Sequence, residues 1–176
     1  LSVDTLTSGE WYYLSVDHIA SRYGNTGTFS LCVDNTPNFD FKSGAIELTD
    51  IDNWQSQPAE WDNSNATAGD DISTCNPSGP NADVWFKFQA TTPSATVKVL
   101  TDEHGAARHY GNMDRQVVSL WSSSAKRIAC TPPPSSNNWG GTVTVSVDTL
   151  VVGDWYYISV DHLTQRYGNA GSFTLY

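Results

Sequence analysis

The sequence predicts an all-β protein, a jelly-roll-like antiparallel β-sandwich, and three observations support this fold class. Charged residues make up only 16% of the 176 positions, while aromatic residues make up 12%, a composition that favours strands over helices. Apolar and polar residues alternate in short segments, which is typical of half-buried strands. These segments are separated by loops rich in Asn, Pro, Gly and Ser, as expected for a sandwich of many short strands.

The alternation predicts the strands in chain order. In residues 11–17, Tyr12, Leu14 and Val16 fall on one face; the pattern breaks at 24–27 and resumes at 28–31, which predicts a hairpin. Further strands are predicted at 45–48, 84–90, 95–101, 116–121, 126–130, 142–147, 155–161 and 172–176. The expected core residues of these strands are Val84, Phe86, Phe88, Val97, Val99, Tyr156, Ile158, Val160, Phe173 and Leu175.

An internal repeat predicts how the chain is divided. Residues 2–31 and 146–175 match at 20 of 30 positions without a gap. The period of 144 residues (146 − 2) suits a whole domain rather than a solenoid turn. We therefore expect residues 1–32 to be the C-terminal strands of a preceding tandem unit and residues 33–176 to be a complete unit; two similar hairpins in one domain are the alternative. Without an initiator Met or signal peptide, the chain is expected to be a piece of a longer protein.

The net charge restricts the classes of partner. Nineteen acidic and nine basic residues give a formal charge of −10, which argues against binding to nucleic acid or to an anionic membrane. No apolar run approaches the length of a membrane span, so membrane insertion is not expected.

Seven short segments follow one another along residues 39–176: KSGAIEL (42–48), DNSNATA (62–68), NADVWFKF (81–88), DRQVVSLW (114–121), RIAC (127–130), WYYISVD (155–161) and GSFTL (171–175). In this order they resemble the PPC-like (bacterial pre-peptidase C-terminal) repeats of large surface proteins that use the type IX secretion system. The resemblance implies a jelly-roll-like β-sandwich without catalysis of its own, located outside the cell or on the bacterial surface. The family's disulfides do not carry over, because its first Cys is replaced near Lys42 and another is replaced by the serines at 122–124.

The three cysteines leave an odd one. A disulfide between Cys75 and Cys130 is the favoured pairing and fits an oxidising extracellular setting. Cys32 is then either a buried free thiol or the partner of a neighbouring unit. These cysteines have no CxxC or His spacing that would indicate a metal site.

Carboxylates gather in the loops between residues 34 and 83. Such loops can supply the oxygen ligands that Ca²⁺ requires, and Asp70 and Asp71 beside Thr67 are the candidate ligands. Because no EF-hand or nonapeptide pattern is present, surface charge that keeps the protein soluble is the alternative explanation.

Three tryptophans lie in polar loop contexts and are candidate contacts for carbohydrate, because exposed aromatic rings stack on sugar rings. They are Trp54, Trp61 and Trp139. The alternative role is structural, since a loop Trp can also pin its loop to the sandwich.

A catalytic function is not expected. His18 and His162 each follow an Asp, but they are copies of each other within the repeat, and no nucleophile-elbow or zinc-protease motif is present. Thr5 and Thr149 each lie between Asp and Leu. This matches the Asp-(Ser/Thr)-aliphatic O-glycosylation motif that the resemblance brings with it, although an ordinary turn explains the same residues.

Together these patterns predict a non-catalytic tandem-repeat module of a secreted adhesin or surface fibre, with a role in spacing, adhesion or assembly. Its expected partners are neighbouring repeat units or copies of itself. The alternative is an accessory carbohydrate-binding module of an extracellular hydrolase, whose partner would be an extracellular glycan.

Overall fold

The computed structural model describes residues 11–17, 28, 31, 38–69, 75–76, 79–102, 109–131, 140–163 and 169–176. The chain divides into two compact units, Leu1–Val33 and Asp34–Tyr176. This boundary lies one residue from the one expected from the repeat; that the first unit belongs to a preceding repeat stays a prediction. The described residues include no helix long and apolar enough to cross a membrane.

Nine strands and a single 3-10 turn at Lys42–Gly44 make up the described secondary structure of the second unit. Every strand except β2 coincides with a predicted one, within one residue at either end. The strands are β1 (Ile46–Glu47), β2 (Trp61–Asp62), β3 (Val84–Gln89), β4 (Ala95–Thr101), β5 (Gln116–Ser122), β6 (Arg127–Cys130), β7 (Gly141–Val147), β8 (Trp155–His162) and β9 (Ser172–Leu175).

Eight of the strands form one long hairpin that is rolled up into a jelly roll. The β5–β6 pair is its closed end, and the pairs β4–β7, β3–β8 and β2–β9 follow outward, all antiparallel. Rolling joins β5 to β8 and β4 to β9. The result is a five-stranded sheet, β1-β3-β8-β5-β6, facing a four-stranded sheet, β2-β9-β4-β7. The predicted jelly-roll-like antiparallel β-sandwich is confirmed, apart from β1, which adds to the edge of β3 in parallel.

The core lies between the two sheets and contains all ten of the predicted core residues. Phe86 on β3 is fully buried, and its ring lies 5.5 Å from that of Phe39 and 6.3 Å from that of Phe173 on the opposite sheet. Each apolar side chain of this size contributes about 1.5–3 kcal/mol when it is removed from water. The period-2 pattern therefore identified the face of each strand that is turned inward.

The strand predicted at residues 11–17 is wrong. These residues adopt no regular secondary structure, and all seven are exposed, although β8 has nearly the same sequence. In β8 the backbone is paired on one side by β3 and on the other by β5. A strand needs such neighbours for its backbone hydrogen bonds and its buried face, so the same residues form a strand only where that environment exists.

Candidate functional site

A groove of about 860 Å³ opens beside the turn that joins β3 to β4. One wall is the β1–β2 connection, from Ile51 to Gln55, and the other consists of the turn itself and the start of β4. Tyr176, directly after β9, completes the lining. The floor belongs to the core: Leu48, Phe88, Val97 and Ile158.

Trp54 is held against this groove by the local structure of the β1–β2 connection. The amide of Trp54 donates to the carbonyl of Ile51 at 3.5 Å, and Asn53 has a positive φ of 62°, so the chain turns tightly there. Ser56 then fastens the connection to β9, because its amide donates to Leu175 O at 2.9 Å and its Oγ accepts from Leu175 N at 3.0 Å. The Trp54 ring is half-buried and packs on the core while lining the groove.

Tyr176 is held by an equally regular arrangement. Its amide donates to Lys98 O at 2.8 Å, and its carbonyl accepts from Lys98 N at 2.9 Å. This pairing continues the β4–β9 ladder and places a second half-buried aromatic residue in the lining. The groove thus combines two aromatic side chains with an apolar floor.

The rim of the groove is polar and nearly neutral. Asp52 and Lys98 are the charged residues among those that line it, one of each sign. The uncharged rim side chains are exposed hydroxyls and amides: Asn53, Gln55, Thr91, Thr92, Ser94 and Thr96. Aromatic rings offer stacking surfaces, and a few hydroxyl and amide groups fix the orientation of a bound molecule.

The three sequence-predicted tryptophans therefore have different outcomes. Trp54 lines the groove, and Trp139 lies outside the described residues. Trp61 lies in β2, where its ring packs 5.6 Å from Phe39 and 5.1 Å from Phe86. Packing on the core is the structural role that the sequence left open for these residues, and it accounts for Trp61.

The sequence did not indicate Tyr176, Thr96 or Lys98 as groove residues. The alternating sequence pattern around these residues indicates on which face of the sheet they lie, but it does not show that the β1–β2 connection lies beside them. That proximity depends on contacts between parts of the chain about 40 to 120 residues apart.

A second polar cluster lies on the outer face of the five-stranded sheet and is made of buried carboxylates. Asp161 Oδ1 accepts from Ala82 N at 3.1 Å and from His162 N at 2.7 Å, while its Oδ2 accepts from Asn76 Nδ2 at 2.7 Å and Asn81 N at 3.3 Å. The lone pairs of this carboxylate are thus used to hold the segment that precedes β3 against β8. The disulfide between Cys75 and Cys130, whose Cα atoms are 6.3 Å apart, fastens the same segment to β6.

Asp83 is the second buried carboxylate in this cluster. Its oxygens accept from Gly69 N at 2.7 Å and from Trp85 Nε1 at 2.7 Å. Burial raises the pKa of Asp83 to about 6, and the nearby charge of Asp161 adds to the shift, although the two hydrogen bonds oppose it. Burial also lowers the pKa of His162, against the attraction of Asp161 and Asp114.

The calcium hypothesis receives no support from the one candidate ligand that the structure describes. The amide and hydroxyl of Thr67 both donate to Asp40, at 2.5 and 2.7 Å, so its hydroxyl already serves a structural bond. Asp70 and Asp71 lie outside the described residues. In the described ranges, no group of three or more His, Cys, Asp or Glu side chains could hold a metal ion.

Of the two glycosylation candidates and the odd cysteine, Thr149 lies within the described residues. Thr149 is exposed in the β7–β8 connection, next to buried Leu150. Thr5 and Cys32 lie outside the described residues. Exposure makes Thr149 accessible to a modifying enzyme, and its modification stays a prediction.

Comparison with known proteins gives no family for this chain. No family model matches the sequence, and no curated protein matches it. One similar solved structure is titled "Structure of a family 35 carbohydrate binding module from an environmental isolate"; it is 16% identical, with a TM-score of 0.35 over 70% of this chain and 90% of that one. Another, "CBM35 from Cellvibrio japonicus Abf62", is 15% identical, with a TM-score of 0.29 over 72% of this chain and 83% of that one.

Proposed function

We propose that the second unit is a non-catalytic binding module of a secreted or cell-surface protein, and that its groove binds a neutral carbohydrate chain. The observation that carries the proposal is the groove itself, with Trp54 and Tyr176 in its lining and a rim made mostly of uncharged hydroxyl and amide groups. Sugar rings present apolar faces that stack on aromatic rings and hydroxyls that bond to such a rim. With one charge of each sign in the lining, a neutral sugar is favoured over a strongly charged one.

The buried acidic groups support a function in binding rather than catalysis. Asp40, Asp83 and Asp161 are each less than 6% exposed, and each accepts hydrogen bonds from backbone amides. A general acid or base has to reach a substrate proton directly or through one water molecule. These carboxylates instead hold loops in place.

Replacing Trp54 tests the proposal. Trp54→Ala removes the stacking surface, so we expect binding of the best ligand from a glycan array to weaken about five- to thirtyfold, which corresponds to about 1–2 kcal/mol for the lost ring contact. Calorimetric titration measures the affinity. Phe41→Ala is the matched control, because Phe41 is 55% exposed and does not line the groove. Equal affinities of Trp54→Ala and the unmodified protein would show that the groove is not the site.

A role as a repeating assembly module is the second candidate, and the internal repeat favours it. Residues 2–31 and 146–175 share turn, core and outward-facing positions over a period of domain length. Arrays of such units are expected of surface stalks and fibres, which is also what the resemblance to the PPC-like repeats implies. The full-length coding sequence tests this: several further copies at the same period would support a fibre or adhesin, whereas a hydrolase domain beside a single unit would support an accessory module.

A further inference from the structure

A row of five residues crosses the outer face of the five-stranded sheet; four of them are at least partly exposed, and Trp121 is buried. Each strand contributes one member, and neighbouring members are paired in register: Glu47, Lys87, Tyr157, Trp121 and Arg127. Adjacent strands lie about 4.8 Å apart, so the row extends about 19 Å across the sheet. Towards the Asp161 end of β8, this face is covered by the segment that precedes β3 and by the Cys75–Cys130 disulfide.

The basic groups on this face lie over aromatic rings. An aromatic face attracts a cation, so these side chains have preferred positions above the sheet. The pairs are Lys42 Nζ at 4.6 Å from the Tyr157 ring centroid, Lys87 Nζ at 5.1 Å from that of Trp155, and Arg127 Cζ at 5.9 Å from that of Trp121.

The charge of the row contrasts with the charge of the whole chain. The protein carries −10 with only nine basic residues, yet Lys42, Lys87 and Arg127 meet on this one face. Glu47 is the acidic member of the row, and its Oε2 lies 3.3 Å from Lys87 Nζ. Basic groups gathered on one face of an acidic protein attract an anionic ligand to that face.

We propose that this row is a second binding site, which takes a carboxylated or sulfated polysaccharide chain lying across the strands. The acidic groups of the chain would pair with Lys87, Arg127 and Lys42, which the aromatic rings beneath them hold in position. Charge-assisted hydrogen bonds to carboxylate or sulfate are among the stronger polar contacts a surface can make. The site is separate from the groove, so either proposal can fail without the other.

Titration of the full chain with heparin and polygalacturonate tests the proposal, with dextran as the neutral control. Binding of both acidic polymers is expected to weaken steeply with salt, while dextran neither binds this face nor competes. Lys87→Gln/Arg127→Gln should lower affinity roughly tenfold or more, because two charged hydrogen-bond donors are lost. Lys98→Gln is the control for the loss of a lysine elsewhere on the surface, since Lys98 lies on the other sheet and lines the groove.

A variant that binds the acidic polymers more tightly tests the proposal in a way that misfolding cannot imitate, because a misfolded protein would lose affinity. Glu47→Gln removes the acidic member of the row and releases Lys87, so the acidic polymers should bind about two- to fivefold more tightly. Trp54→Ala should leave their binding unchanged. Unaltered affinity in the Lys87→Gln/Arg127→Gln protein, an equal loss in Lys98→Gln, or equally tight binding of single-stranded DNA would each overturn the proposal.

Discussion

At the scale of single residues, the buried carboxylates show how burial and hydrogen bonding compete. Asp83 holds Gly69 and the Trp85 indole in place, but its ionised form loses hydration, and the pKa rises from 3.8 to about 6. Between these two values the folded protein keeps a proton that the unfolded chain has released. The free energy of unfolding should therefore fall as pH rises from about 4 to 6, by at most about 3 kcal/mol from this residue.

Asp83→Asn tests this pH dependence. The variant should lose the decrease in unfolding free energy between pH 4 and 6, which urea denaturation at a series of pH values measures directly. His162 acts in the opposite direction, because its lowered pKa means that its contribution to stability is lost as pH falls. Since His162 is present in both Asp83→Asn and the unmodified protein, the difference between their pH profiles reports on Asp83. Asp154→Asn, at an exposed carboxylate, is the control. A pH profile of Asp83→Asn that matches the unmodified protein would contradict the assignment.

At the scale of elements, alternation predicted the strands because burial on one face is a local property of the sequence. It missed β2, because Trp61 is flanked by polar residues from Glu60 to Ser64 and no alternation is visible there. It also predicted a strand at 11–17 that is not there, because the alternation is the same whether or not neighbouring strands exist. The groove shows the same limit: Trp54 could be proposed from its polar neighbours, whereas Tyr176 depends on a ladder with β4 that no local pattern reveals.

The packing between the sheets makes a stability prediction. Phe86 is fully buried and its ring lies 5.1 Å from that of Trp61, so Phe86→Ala should lower the unfolding free energy by about 3–5 kcal/mol. Chemical denaturation provides the measurement. Phe41→Ala removes an exposed ring of the same kind and should change stability by no more than about 0.5 kcal/mol. Similar midpoints for the two variants would mean that the register assigned to β3 is wrong.

At the scale of the whole molecule, the chain carries two copies of one strand sequence. Residues 11–17 match β8 at six of seven positions, and in this first copy Trp11 is 88% and Tyr13 97% exposed. If residues 11–17 of one molecule replaced β8 in another, the new strand contacts would be about as many as those that the displaced β8 loses. The loss of translational freedom then opposes a stable fibre built by exchange alone. Exposed aromatic side chains still favour weak association.

Deleting residues 1–33 tests whether this segment has a role in assembly. The full chain should show an average mass that grows with concentration in light scattering, whereas the truncated chain should stay monomeric. Both should have the same melting temperature, because the jelly roll and its core lie in the second unit. Tyr13→Ser/Leu14→Ser in the full chain should reproduce the effect of the deletion without shortening the protein, since it removes exposed apolar surface from the same segment. If the full chain were also a monomer at every concentration, the first unit would have no part in self-association, and an assembly role would have to depend on the second unit alone.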